Sequence, residues 1–380
     1  MDVSIIGTGI HPFGRHEHKS GPELGEYAVR EALANAGIAW KDIQCTFGGS
    51  WQEGTIDSLI ARLGPTGAQY TSVLNNCATA GSALHSAAAA IEAGYCDVAL
   101  AVGYDKHPRG AFTMDPALLG LEPWYGEIGF MTSVQFFAMK TQRYMHDFGI
   151  TNDSLTRVAV KNFRNGSLAP HAWRREATDY DTVANSMLLC NPLRKYMFCS
   201  PCEGGAAAVL CRTGIAKQFT RKPVVVKGLS IRTRNFGSLE VCQPANPLDE
   251  VDTPVEMASE AAFEMAGIGP KEVQVAQLQD SECGHEIMHM AETGLCEHGA
   301  QEQMLKAGET EITGRLPINT DGGLIANGEP VGASGLRQIY EICAQLRGEA
   351  GERQVPGNPK VGLTQVYGAP GVSAVVILQR

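Results

Sequence analysis

No apolar run in this 380-residue chain approaches the roughly 20 residues that a membrane-spanning helix needs. Basic runs are missing too, as is any interleaving of basic with aromatic residues, and the net charge is −10. These absences argue against a membrane span and against nucleic acid as a partner. Metal-ligand patterning is sparse. Among eleven cysteines, Cys199-Ser200-Pro201-Cys202 has C-x-x-C spacing, and no second such pair accompanies it. Two thiols fall short of a structural zinc set, so no metal site is expected. Cys45, Cys96, Cys211, Cys242 and Cys343 stand singly, as reduced, buried thiols of a cytosolic protein do. Flexible linkers and low-complexity stretches are lacking. The N-terminus, Met1 to Gly7, reads as a buried strand entering a glycine turn rather than as a signal peptide. The expectation is a soluble, cytoplasmic chain.

What is present is a repeat. Asn76-Cys77-Ala78-Thr79-Ala80-Gly81-Ser82-Ala83-Leu84 and Asn327-Gly328-Glu329-Pro330-Val331-Gly332-Ala333-Ser334-Gly335-Leu336 share a pattern at an offset of 252 positions (334 − 82). Ser82-x-Leu84 falls on Ser334-x-Leu336, and Cys77 falls on Glu329. Each stretch reads as a turn rich in small residues that opens a helix, where free N–H groups favour a reactive or anionic side chain. A second pair lies at an offset of 230 (256 − 26): Glu26 to Ile38 resembles Glu256 to Ile268. Both predict an amphipathic helix closed by an Ala-Gly-Ile cap, with Gly37 or Gly267 as the left-handed residue. A short link then feeds a strand in each copy.

Short, uninterrupted apolar runs such as Val98–Gly103 and Val375–Leu378 fit sheets covered on both faces. Alternation of strand and helix within each half predicts an α/β fold of two duplicated halves, with mixed sheets layered between helices. The halves are placed at 1–220 and 221–380, with Pro223–Ile231 opening the second as Val3–Ile10 opens the first. Residues 105–150 have no counterpart in the second half. Their aromatic, Gly/Pro-punctuated character suits a loop insertion that forms a lid, a substrate wall or a subunit contact. For Phe136 and Phe137, a helical core segment is the equal alternative.

These motifs resemble those of the thiolase superfamily, and within it the sterol-carrier-protein-type thiolases, often labelled lipid-transfer proteins. The resemblance covers nearly the whole chain and implies a thiolase-like fold. It assigns Cys77 as the acyl-accepting nucleophile, the alternative being a small core cysteine at a helix start. The family's Gly-His-Pro is here Gly328-Glu329-Pro330, so a carboxylate takes the place of the histidine that receives the nucleophile's proton. Burial that raises its pKa would suit Glu329 to that task; helix capping is the alternative. Near the C-terminus the family carries a second cysteine, or His-Asn; this chain has Val366-Tyr367-Gly368-Ala369-Pro370-Gly371. Tyr367 is the candidate general acid or base, or else a packed turn aromatic, and the amides of Gly368 and Ala369 are candidate oxyanion donors. Gln279, in Gln279-Asp280-Ser281-Glu282, takes the place of the Asn or His that holds a water in the oxyanion hole. Asn327 and His285 complete the candidate binding residues, His285 being a core histidine or a substitute for the missing motif histidine. Cys202-Glu203-Gly204-Gly205-Ala206 resembles a structural turn closing the first half.

The activity implied is thiolytic cleavage of a 3-oxoacyl-CoA, or the reverse Claisen condensation, through an acyl-Cys77 intermediate. Coenzyme A would be a substrate, with no bound cofactor. A retro-aldol lyase acting on a β-hydroxyacyl-CoA, such as a steroid side chain, is the second reading. A non-catalytic acyl-CoA-binding subunit is the third. The resemblance also implies a homodimer and a small zinc-ribbon/OB-fold partner subunit, which has no counterpart in this chain. The aromatic 105–150 stretch suits a bulky acyl group.

Overall fold

The structure, a computed structural model, describes residues 1–238, 240 and 251–380; Cys242 lies outside the described residues. Its strands are β1 (Val3–Gly14), β2 (Cys45–Gly49), β3 (Gln69–Ser72), β4 (Val98–Lys106), β5 (Leu188–Cys190), β6 (Leu193–Arg194), β7 (Glu203–Arg212), β8 (Val224–Thr233), β9 (Val275–Leu278), β10 (Val361–Gly368) and β11 (Val372–Gln379). Among the described residues, nine of these form one mixed sheet in the order β3-β2-β4-β7-β1-β8-β11-β10-β9, and β5 pairs with β6 separately.

The sheet carries the internal repeat in its pairing. β2 runs parallel to β4, β4 antiparallel to β7, and β7 antiparallel to β1. In the second half, β9 runs parallel to β10, β10 antiparallel to β11, and β11 antiparallel to β8. The two sets meet where Ser4 and Ile5 of β1 pair with Val225 and Val224 of β8. The near-continuous apolar runs follow from burial on both faces: β7 and β10 are buried along almost their whole lengths.

Helices Gly21–Ala36 and Pro254–Ala266 match the predicted repeat. Each ends on a left-handed glycine, Gly37 at φ 70° and Gly267 at φ 68°, whose N–H satisfies carbonyls of the last turn. Each is followed by a single 3₁₀ turn and then by β2 or β9. Helices Thr79–Glu92 and Ser334–Arg347 are the second repeated pair. They touch at small residues, where Gly335 approaches Ala80 and Gly81, and bury Leu84, Ile91, Leu336 and Ile342 in a shared core. Small residues at the crossing let these helix starts approach closely, and that sets the distance between their two leading turns.

The 105–150 stretch forms a short 3₁₀ turn, a one-turn helix Trp124–Glu127 and the long helix Ser133–Phe148. Phe136 and Phe137 sit on the long helix and are buried. Among the described residues, no helix is long and apolar enough to cross a membrane. Among the described residues ten cysteines are free thiols, with Cys45, Cys96, Cys211 and Cys343 buried.

Candidate active site

The Cys77 turn is held by its own backbone. Ala78 N–H donates to Asn75 O and Thr79 N–H to Asn76 O, both at 2.9 Å, while the Asn75 side-chain amide donates to Ser82 Oγ at 2.7 Å. Asn76 takes a positive φ of 48°, a conformation asparagine tolerates better than most residues. Its side-chain amide donates to the Ala369 carbonyl. Gly368 abuts the same turn: a Cβ there would lie 2.5 Å from Asn75 O, so only glycine lets the end of β10 pack so closely. The Cys77 turn and the Tyr367–Ala369 turn are thereby one structure.

Glu329 arrives from the second copy. Its loop is fixed by Glu329 N–H donating to Ser200 O at 2.9 Å and by Cys202 N–H donating to Glu329 O at 3.3 Å. The carboxylate is 1% exposed. It accepts the Cys199 thiol at 3.4 Å and the Gln279 amide at 3.0 Å, and it shares the pocket wall with Cys77. Burial pushes its pKa above the ordinary carboxylate value, against these hydrogen bonds and the nearby His107. Burial, and then the Glu329 charge, push the Cys77 thiol well up as well. Both shifts run upward, so the surroundings disfavour the two groups carrying negative charge together.

Cys77 and Glu329 line one narrow pocket. Its walls are Trp51, Phe112, Phe130, Phe136 and Phe137, with Met114 and Met131, so most of the wall comes from the 105–150 stretch. Ser281, Asn76 and Ala369 also line it. Asp105 and His107, at the base of that stretch, tie it to the Glu329 loop. Asp105 accepts Ser50 Oγ at 2.6 Å, Trp51 N–H at 3.0 Å and Gly332 N–H at 2.6 Å, while His107 Nε2 accepts Val331 N–H at 3.2 Å. Burial disfavours the Asp105 charge, but these donors and His107 outweigh it and hold its pKa below the usual value.

The structure brings Cys77, Glu329 and Gln279 into direct contact and sets Ala369 on the pocket wall. Gln279 directs its amide at Glu329 and, at 3.4 Å, at Ser281 Oγ. Asn327 is buried and donates to the carbonyls of Asp321 at 3.0 Å and Gly323 at 2.7 Å, within its own loop. Tyr367 and His285 belong to a polar cluster away from the pocket lining. Tyr367 donates to Glu240 Oε2 at 2.5 Å, and Lys140 donates to the same oxygen at 2.9 Å. His285 stands between Phe137 and Tyr367, with ring centroids 4.5 and 5.5 Å away. Burial drives its pKa well below the usual histidine value, so it is neutral.

His285-Glu286-Ile287-Met288-His289 also has the H-E-x-x-H spacing of helical zinc sites. Its histidines stack 5.0 Å apart, but Glu286 is taken by Lys161 and by Asn162 at 2.9 Å. Among the described residues, the one group of three possible metal ligands is His171, Asp321 and Glu341. Arg337 pairs with Asp321, and Arg353 with Glu341 at 2.9 Å, which neutralises that group without a metal. The cysteines of the C-x-x-C stretch diverge, Cys199 to Glu329 and Cys202 to the Asn327 carbonyl at 3.7 Å.

Sequence reasoning missed Ser281, Cys199, Asp105 and His107. Ser281 lay inside the Gln279–Glu282 motif and Cys199 in the C-x-x-C stretch, so both were within reach; Asp105 and His107 carried no local signal.

The chain is similar to known proteins along its whole length. Residues 3–211 match the model of the thiolase N-terminal domain, and residues 245–380 that of the thiolase C-terminal domain-like family. An acetyl-CoA acetyltransferase of Methanothermobacter thermautotrophicus is 33% identical, covering 100% of both chains. The benzoylsuccinyl-CoA thiolase subunit BbsB of Thauera aromatica is 29% identical over 96% of this chain and 94% of its own. Human sterol carrier protein 2 is 29% identical over 99% of this chain and 71% of its own. In fold, the chain is similar to an Ltp2-ChsH2(DUF35) aldolase, with a TM-score of 0.88 at 22% identity over 100% of this chain and 97% of that one.

Proposed function

This chain belongs to the thiolase family, in the branch of the sterol-carrier-protein-type thiolases, and from that premise we propose that it cleaves or forms the C2–C3 bond of a bulky 3-oxoacyl-CoA through an acyl-Cys77 intermediate. The observation that carries this reading is Cys77 and the buried Glu329 carboxylate side by side in one aromatic pocket.

In the cleavage direction, Cys77 Sγ attacks C3 of the substrate and its proton passes to Glu329. The C2–C3 bond breaks, its electron pair staying on C2 as an acyl-CoA enolate, and the acyl group remains on sulfur. Glu329, now neutral, returns the proton to C2. The thiol of free coenzyme A then attacks the acyl-cysteine, giving its proton to Glu329; the acyl group leaves on coenzyme A, and Glu329 passes the proton to the expelled Cys77 thiolate, restoring the resting pair. Because the base takes the proton during attack, the resting thiol need not be ionised. Asn76, Ser281 and the Gly368–Ala369 backbone are the polar groups beside the reacting carbonyl, and we assign charge stabilisation to them. Gln279 holds Glu329. Tyr367, engaged with Glu240, and His285 support the Phe137 wall, while Asn327 fixes the loop that presents Glu329.

The pocket's five aromatic rings and two methionines support an aryl or polycyclic acyl group over acetyl. The domains are read as halves 1–220 and 221–380. A homodimer and a small zinc-ribbon/OB-fold partner remain part of the reading, supported by relatives described as a subunit and as a two-component aldolase.

Retro-aldol cleavage of a β-hydroxyacyl-CoA is the second reading, favoured by the protonated state in which Cys77 is held. There Glu329 takes the hydroxyl proton and no acyl-enzyme forms. Intact-protein mass spectrometry with a panel of 3-oxoacyl-CoAs separates the two. An acyl-sized mass gain that disappears in Cys77→Ser is expected. Cleavage of a β-hydroxyacyl-CoA that survives Cys77→Ser, with no adduct, would replace the thiolase reading by the lyase.

A further inference from the structure

The C-x-x-C stretch finds its use beside the site. Cys199 N–H donates to Ser281 O at 2.9 Å, and Ser200 O accepts Glu329 N–H at 2.9 Å, so this segment is laid along the Glu329 loop. That register puts Cys199 Sγ 3.4 Å from Glu329 Oε2, while Gln279 takes Oε1 at 3.0 Å. Cys77 reaches the same carboxylate and also lines the pocket. Cys199 is 4% exposed and lies outside the pocket lining.

A buried carboxylate needs donors to keep its charge, and the side-chain donors to Glu329 are the Cys199 thiol and the Gln279 amide, with Cys77 and His107 the titratable groups nearby. We propose that Cys199 is a positioning residue for the reaction described above: its S–H, donated to Glu329 Oε2, keeps that carboxylate ionised and aimed at Cys77. The inference rests on the reading of Glu329 as the base for Cys77. It gives two chemically identical thiols different tasks, set by which of them faces the pocket. Cys77 gives its proton away, and Cys199 keeps its own.

A base must be unprotonated to accept the proton of Cys77, so the rate of Cys77 modification rises with pH as Glu329 ionises. Removing the Cys199 donor raises the proton affinity of Glu329 and moves that rise to higher pH. The experiment is alkylation of the full chain by iodoacetamide between about pH 5 and 9, with the Cys77 peptide quantified by mass spectrometry. Cys199→Ala is expected to shift the rise upward by roughly one pH unit, about tenfold in rate on the slope. Cys199→Ser, which keeps a donor, is expected to return most of the shift; a merely structural role would not separate these variants by pH. Where alanine prevents folding, Cys199→Val takes its place with the same expected shift. Glu329→Gln is expected to remove the part of the rise that follows Glu329 and to leave only the rise from the thiol's own ionisation. Coincident profiles for wild type and Cys199→Ala, with Glu329→Gln altered, overturn the inference alone. Coincident profiles for wild type and Glu329→Gln overturn the base assignment and the inference with it.

Discussion

The turns that carry Cys77 and Glu329 precede two helices that pack together, but Cys77 stands two residues before its helix (79 − 77) and Glu329 five (334 − 329), and they meet the pocket differently. Cys77 is partly exposed on a turn closed by its own neighbours, whereas Glu329 is buried and held by residues far away in sequence. On the proposed reading the first copy presents a nucleophile, and the second presents a base whose proton affinity the surroundings set. One backbone device yields two functions because the environment differs. In the first, the wall is aromatic and open to substrate. In the second, an amide and a second thiol replace water.

The largest test of this contrast removes the first copy's side chain. Cys77→Ala is expected to abolish acyl-enzyme formation and to lower turnover on the order of 10³-fold or more, measured with the substrate found by mass spectrometry. Removing the charge of the second copy should do less. Glu329→Gln is expected to slow turnover by about 10²- to 10³-fold. Its pKa lies above the usual carboxylate range, so wild-type turnover should fall as pH drops through that raised value, while the Gln variant loses this dependence. A low-pH limb unchanged in Glu329→Gln would assign the base elsewhere.

Asp105 joins the pocket wall to the second copy through Trp51 and Gly332, so it measures the coupling between regions. Asp105→Ala leaves several buried N–H groups unpaired and is expected to cost about 3 kcal/mol in urea unfolding at pH 7. The folded pKa is depressed, so this carboxylate's contribution is present above the unfolded value and is lost as pH falls through the folded one. The difference between wild type and Asp105→Asn should shrink along that path. The smallest test asks whether the copies share backbone energetics. Gly37→Ala and Gly267→Ala, at φ 70° and 68°, should each cost about 1 kcal/mol and agree closely, since neither added Cβ meets a close neighbour. Clearly unequal costs would show that the copies diverge in packing as well as in side chains.

Helix caps at Gly37 and Gly267, the apolar strand runs and the paired turns at Cys77 and Glu329 were all legible in the chain, because each is encoded within a dozen residues. The family followed from the same stretches. The partners of Glu329 were not legible: Cys199 is 130 positions away and Gln279 is 50. The sequence suggested the Gln279 amide for substrate oxygen, but the fold turns it to Glu329. Tyr367 read as a pocket residue, but the fold directs its hydroxyl to Glu240, 127 positions away.

Local pattern alone determined the duplicated α/β architecture, the nucleophile candidate and the carboxylate standing in for a histidine. Tertiary structure decided what surrounds them: an aromatic wall from residues 105–150, a second thiol behind Glu329, and a lysine-held cluster around Tyr367. Backbone propensity and capping act over a few residues and leave a readable trace. A buried charge is set by whichever donors the packed chain delivers to it, and that delivery is fixed only when distant strands and helices close upon one another.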